Sequence, residues 1–118
     1  MSKNLSMSML LDFYRRLLTD KQTDALDLYY NQDLSLAEIA EHLSITRQGV
    51  RDNIKRGERQ LCDYEDKLGL AAKFSELADS CSMIRENIEK VKAMGVSQDV
   101  YAYLEEMLYH VGQIEAAL

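Results

Sequence analysis

An all-α fold is predicted for this 118-residue chain by three observations: no proline occurs, only five glycines do, and apolar residues recur every three or four positions along most of its length. Pro and Gly oppose helix most strongly, and Ala, Leu, Glu, Lys, Gln, Arg and Met are plentiful here. A chain this short buries one modest core, which argues against a multidomain enzyme. The expected organisation is a helix-turn-helix domain over residues 1–61, followed by an acidic helical extension over 62–118 that folds as an antiparallel hairpin.

The elements follow in order. Leu5, Met9, Phe13 and Leu17, with Leu10 and Leu18 beside them, form a stripe at helical spacing and predict a helix over about 5–18. Thr19 and Gln22 have capping-box spacing, so a second helix starts there, with Leu26, Tyr29 and Tyr30 on its inner face. Asn31 suits its left-handed C-cap. Ser35 and Glu38 make another capping box, and Leu36, Ile39, Ala40 and Leu43 form the inward stripe of a third helix, small Ala40 allowing a close crossing. Thr46 caps a fourth helix only eleven positions after Ser35, held down by Val50 and Ile54. Two helix starts at that separation are the layout of a helix-turn-helix.

No stop signal follows. Leu61, Tyr64 and Leu68 continue the rhythm to Gly69, where a kink or break is expected. Phe74, Leu77, Cys81, Ile84, Ile88 and Val91 then form a seam like that of a coiled coil, which needs a partner. Gly95 ends that helix and Ser97 caps the last one, whose stripe is Val100, Leu104, Met107 or Leu108, Val111, Ile114 and Leu118. The short turn implies a hairpin, and the seam leans towards a homodimer through residues 74–118.

The charge is −6 overall, but its distribution carries more meaning than its sum. Residues 1–61 balance nine Lys and Arg against nine Asp and Glu, whereas residues 62–118 hold five against eleven. Within 46–61, five basic residues face only Asp52 and Glu58, a local +3 on one helix. Its outer face carries Arg47, Gln48, Arg51, Lys55, Arg56 and Arg59, with Thr46 at its start. These are the donors that reach phosphates and purine edges from a major groove. Arg56 and Arg59 also fit the general preference for cations late in a helix. Arg47 and Arg51 do not, because positive charge in the first turns opposes the helix dipole unless an anion is present.

Other functional classes find little support. Cys62 and Cys81 have neither CxxC spacing nor a nearby histidine and read as buried free thiols. His42 and His110 stand alone, and Glu105, Glu106 and Glu115 belong to a solvated helix face. Tyr101, Tyr103 and Tyr109 suit either a partner surface or rim packing. GxGxxG, P-loop, HExxH and GxSxG are all missing, so no cofactor, metal or catalytic centre is expected. No apolar run approaches the ~20 residues that span a bilayer, and the start is too weakly apolar for a signal peptide. A cytoplasmic location is expected.

The run LTDKQTDALDLYYNQDLSLAEIAEHLSITRQGVRDNIKRGERQL, residues 18–61, resembles the promoter-reading C-terminal domain of bacterial sigma factors. The similarity is densest in LSLAEIAEHLSITRQGV, with a short turn and a Thr-Arg pair opening the recognition helix. By position it implies that Thr46, Arg47, Gln48 and Arg51 face the groove. Ser44 departs from that pattern where a turn glycine is usual, and Asn53 where an apolar residue is common.

From MLLDFYRRLLTDKQ through SITRQGVRDNIKRGE to LCDYEDKLGL, nearly the whole chain resembles the YlxM family of Gram-positive bacteria and mycoplasmas. Its members are described as helix-turn-helix proteins, linked to the signal recognition particle pathway because their genes lie beside those of its targeting GTPases. The resemblance implies a regulatory or accessory role, with DNA or RNA, or components of that particle, as partners. Three readings stay open: a DNA-binding transcriptional regulator, an accessory protein touching the particle's RNA or GTPase, and a protein-interaction module using the acidic half.

Overall fold

Serine and threonine side chains open five of the six α-helices in the computed structural model, which describes residues 6–118. The helices are α1 (Met7–Tyr14), α2 (Asp20–Leu26), α3 (Leu36–Leu43), α4 (Arg47–Leu68), α5 (Leu70–Lys92) and α6 (Gln98–Ala117). Ser6, Thr19, Ser35, Thr46 and Ser97 each accept a hydrogen bond from the backbone N–H three residues on, satisfying a donor that the helix itself leaves free. At Thr19 and Ser35 the reciprocal bonds from the backbone to Gln22 and Glu38 complete both expected capping boxes. Among the described residues there is no strand.

The chain divides into two compact units after Ala72. The boundary expected after Leu61 instead falls inside α4, which runs unbroken to Leu68 and is closed by Gly69 in the left-handed conformation, φ 62°. The core of the first unit gathers Leu10, Leu11, Tyr14, Ala25, Leu26, Ile39, Ala40, Val50, Ile54, Leu61 and Ala71. Including Ala71 brings the start of α5 into this unit, and a buried carboxylate explains why. Glu65 accepts the Tyr14 hydroxyl at 2.6 Å and the N–H groups of Ala71 and Ala72 at 3.0 Å each. A side chain at the end of α4 therefore caps α5, while Tyr14 also accepts from the Leu70 N–H. Burial pushes the Glu65 carboxyl up, but the Tyr14 hydroxyl and the Ala72 and Ala71 amides outweigh it and hold the group below its ordinary value.

Three expectations in this unit are corrected. Met7, Leu10, Leu11 and Tyr14 form the inward stripe of α1, whereas Phe13 and Leu17 are exposed and Leu5 lies outside the described residues. The helix is also shorter than expected, ending at Tyr14 and passing into a 3₁₀ turn over Arg15–Leu17. The second correction concerns Asn31. After α2 the chain widens into a π-helical turn, Asp27–Asn31, and the left-handed residue is Asp33, φ 56°. Asn31 instead receives the Ser8 hydroxyl at 2.6 Å and donates to Asp27 at 2.7 Å, and Arg15 donates to the same Asp27 oxygen at 2.9 Å. Thirdly, the wide turn departs from α-helical register, so Leu28 and Tyr30 pack on the core while Tyr29 is 39% exposed.

Between α3 and α4 the turn is a Schellman motif. Ile45 N–H reaches Ala40 O at 3.1 Å and Ser44 N–H reaches Glu41 O at 3.4 Å, with Ser44 left-handed at φ 57°. Serine thus adopts the conformation that the usual glycine would supply. A close helix crossing also lies between α2 and α4 at Gly57, where a Cβ would come within 2.6 Å of Leu26 Cδ1.

In the second unit α5 and α6 pair antiparallel, as Arg85 bonds Glu115 while Lys92, further along α5, bonds the earlier Glu105. Cys81, Ile88, Leu104 and Val111 form the core, flanked by Val91, Val96 and Leu108. Each helix contributes one buried residue per seven, so the expected seam is only half covered: Leu77 and Ile84 are 45% and 47% exposed. Gly95, φ 76°, makes the turn.

Candidate nucleic-acid interface

The inner face of α4 carries Val50, Ile54, Gly57, Leu61 and Glu65, all buried, and Tyr64 packs beside them on the same core. Thr46, Arg47, Gln48, Arg51, Lys55, Arg56 and Arg59 are all exposed. Thr46 Oγ1 is occupied as a cap, accepting from Gly49 N–H at 2.9 Å, which leaves its hydroxyl proton free for a ligand. Gln48 donates to Asp52 at 3.1 Å, one turn on, which orients its amide while leaving one N–H and the carbonyl oxygen available.

No ion pair among the described residues involves Arg47, Arg51, Lys55, Arg56 or Arg59, although Arg15, Arg85 and Lys92 are all paired across elements. The first turn of α4 also contains no acidic residue. Its positive pole therefore carries arginine without a counterion, an arrangement unfavourable by about 0.3–1 kcal/mol at low salt until an anion arrives.

The structure groups some of these residues and separates others. Arg47, Gln48 and Arg51 line a groove of about 330 Å³ with Leu36 from the start of α3. Arg51 and Leu36 continue into a second groove of about 230 Å³ with Tyr29, Ile54, Lys55 and Glu58. The two form a track running about 17 Å along α4 at 1.5 Å per residue. Arg59 stands one turn beyond Lys55 on the same side, while Arg56 is turned away by about 100°, and neither lines these grooves.

Tyr29, Tyr30, Leu36 and Glu58 are additional to the predicted set. Tyr30 donates its hydroxyl to Glu58 and stacks edge-on against Tyr29, ring centroids 5.0 Å apart. Burial, reinforced by Glu58, raises the Tyr30 pKa and keeps its phenol protonated. The two adjacent tyrosines were a visible signal, but helical periodicity turned both inward, and only the π-turn exposes Tyr29. Elsewhere, His42 lines an acidic hollow with Asp24 and Asp27, but no three metal-ligating side chains come together among the described residues. No helix is long and apolar enough to cross a membrane among the described residues.

The profile of the UPF0122 family, described as "Putative helix-turn-helix protein, YlxM / p13 like", matches residues 1–100. A UPF0122 protein of Acetivibrio thermocellus is 43% identical over 114 residues, covering 97% of each chain. One from Halalkalibacterium halodurans is 43% identical over 107 residues, 91% of this chain and 95% of its own. Another, from Clostridium kluyveri, reaches 50% over 91 residues, 77% and 82% respectively. With two capped helices joined by a left-handed turn, and with similarity over nearly its whole length, the chain belongs to the UPF0122 family of helix-turn-helix proteins.

Proposed function

We propose that this protein is a non-enzymatic nucleic-acid-binding protein with a regulatory or accessory role, and that it engages its ligand through the outer face of α4. The observation that carries this reading is the uncompensated charge at the start of that helix. Among the described residues Arg47 and Arg51 are exposed and lack acidic partners, and Arg47, in the first turn, works against the helix dipole, a cost that an anionic ligand converts into a gain. Phosphates would be held by Arg47, Arg51 and Lys55 in the track, with Arg56 and Arg59 extending the field. Gln48, oriented by Asp52, is placed to meet a base edge, and Thr46 can donate to a phosphate oxygen. Docked as in the sigma-like resemblance, Thr46, Arg47, Gln48 and Arg51 enter the groove together.

Within the signal recognition particle pathway, to which the family is linked by gene neighbourhood, the ligand is the particle's RNA. In a transcriptional role it is an operator in duplex DNA. The exposed Leu77 and Ile84 favour a second copy of the chain pairing through residues 74–118. Binding to duplex DNA and to structured RNA, compared between the native protein and Arg47→Ala/Arg51→Ala, tests the reading. The double variant should lose at least ten-fold in affinity while keeping its helical circular dichroism. Unchanged affinity would remove α4 as the interface, and a protein-interaction role for the acidic half would then stand in its place.

A further inference from the structure

The groove beside Lys55 is not built like a phosphate site. Tyr29, Leu36 and Ile54 give it apolar walls, and Glu58 places a carboxylate among Arg51 and Lys55. That carboxylate would repel a phosphate. It would attract the N–H donors of a nucleobase edge, and one of its oxygens is already held by the Tyr30 hydroxyl, which fixes its direction. Tyr29 is exposed in the same groove and offers an aromatic ring for stacking. The volume, about 230 Å³, falls below the ~300–1,000 Å³ typical of pockets for drug-sized ligands and suits one flat ring system. Arg51 and Lys55 at the rim can hold the phosphates on either side of such a base.

We infer that this groove binds one unpaired base of a single-stranded or looped nucleic acid, stacked on Tyr29 with its donor edge on Glu58. The inference rests on the nucleic-acid reading of α4 and specifies its ligand. Guanine fits best, because its N1–H and N2–H present two adjacent donors to a carboxylate, whereas the Watson–Crick edges of adenine and cytosine each offer one amino group. The base is inaccessible in a continuous duplex, so a loop or single strand is preferred over a paired helix of the same sequence.

Short uridine tracts with one central guanine, adenine or cytosine, as RNA and as the corresponding DNA, are the probes, and a fully paired duplex is the control. The native protein should bind the guanine strand most tightly, and Tyr29→Ala should weaken that binding about ten-fold, within the range seen for loss of base–aromatic stacking. Tyr29→Phe, which keeps the ring, should stay within about two-fold. Glu58→Gln should erase the preference for guanine, and duplex affinity should not respond to Tyr29→Ala. Comparing the RNA and DNA arms tells which backbone the site accepts.

If Tyr29→Ala leaves single-strand binding unchanged, or weakens strand and duplex equally, the base site is refuted. The nucleic-acid reading survives that result if Arg47→Ala/Arg51→Ala still abolishes binding. If the native protein binds none of these nucleic acids, both readings fall.

Discussion

Replacing Glu65 by alanine tests how the first unit is closed. The carboxylate is buried and accepts three hydrogen bonds, from Tyr14 Oη at 2.6 Å and from the N–H groups of Ala71 and Ala72 at 3.0 Å. Losing the cap at the start of α5 costs about 1 kcal/mol. Leaving the buried Tyr14 hydroxyl without its acceptor costs a further ~1–3 kcal/mol, so the expected loss is about 2–4 kcal/mol. With a urea dependence of ~2 kcal/mol per molar, the unfolding midpoint should fall by roughly 1–2 M. Glu65→Gln keeps the shape and one acceptor oxygen but not the charge, and should lie between native and alanine. The solvated Glu106→Ala on α6 is the control, expected within about 0.5 kcal/mol of native. The pH dependence supplies an independent check. Because folding lowers the Glu65 pKa, its contribution is fully present above the ordinary value of 4.5 and disappears as pH falls through the lower folded-state value. Glu65→Gln should flatten that acid limb. An alanine midpoint within error of native would refute the assigned role.

Ser44→Gly relieves a left-handed serine, φ 57°, and should stabilise the protein by about 0.5–1 kcal/mol in urea unfolding after the glycine's entropic cost. A loss of stability would show that the turn does not need that conformation. Gly57→Leu puts a Cβ 2.6 Å from the fully buried Leu26 and should cost at least the ~1–3 kcal/mol of an overpacked core; a neutral result would mean that α2 and α4 part easily. Arg47→Ala/Arg51→Ala, which loses binding, should at the same time raise stability by a few tenths of a kcal/mol at low salt, since it removes positive charge from a helix N-terminus. A fall in the melting temperature would assign those arginines a structural purpose.

Much of this architecture was legible because local chemistry decided it. Thr19, Ser35, Thr46 and Ser97 each announce a helix by side-chain capping, and Gly69 and Gly95 stop one by adopting positive φ. The exposed cations of α4 followed from the opposite side, once Val50, Ile54 and Leu61 were assigned inward. What escaped the sequence depends on tertiary contacts. Tyr14 has no place in the stripe that spacing predicts for α1, although its hydroxyl finds Glu65 fifty-one positions away. Gly57 lies in a basic stretch that gives no hint of a helix crossing above it. The π-turn at Asp27–Asn31 has no local signature, so Tyr29 was placed in the core rather than in the groove. Leu77 and Ile84 fit a heptad seam by spacing, but a hairpin of two helices covers only one flank of each.

The salt dependence of binding tests the central claim most directly. If Arg47, Arg51 and Lys55 each neutralise one phosphate, log K against log salt should have a slope of about −2 to −3, shrinking by about 1–2 in the Arg47→Ala/Arg51→Ala variant. The chain carries −6 overall, so such a slope would have to come from a local basic face rather than from the net charge. An affinity independent of salt, or a slope that the double variant leaves unchanged, would contradict the assignment of α4 as the nucleic-acid interface.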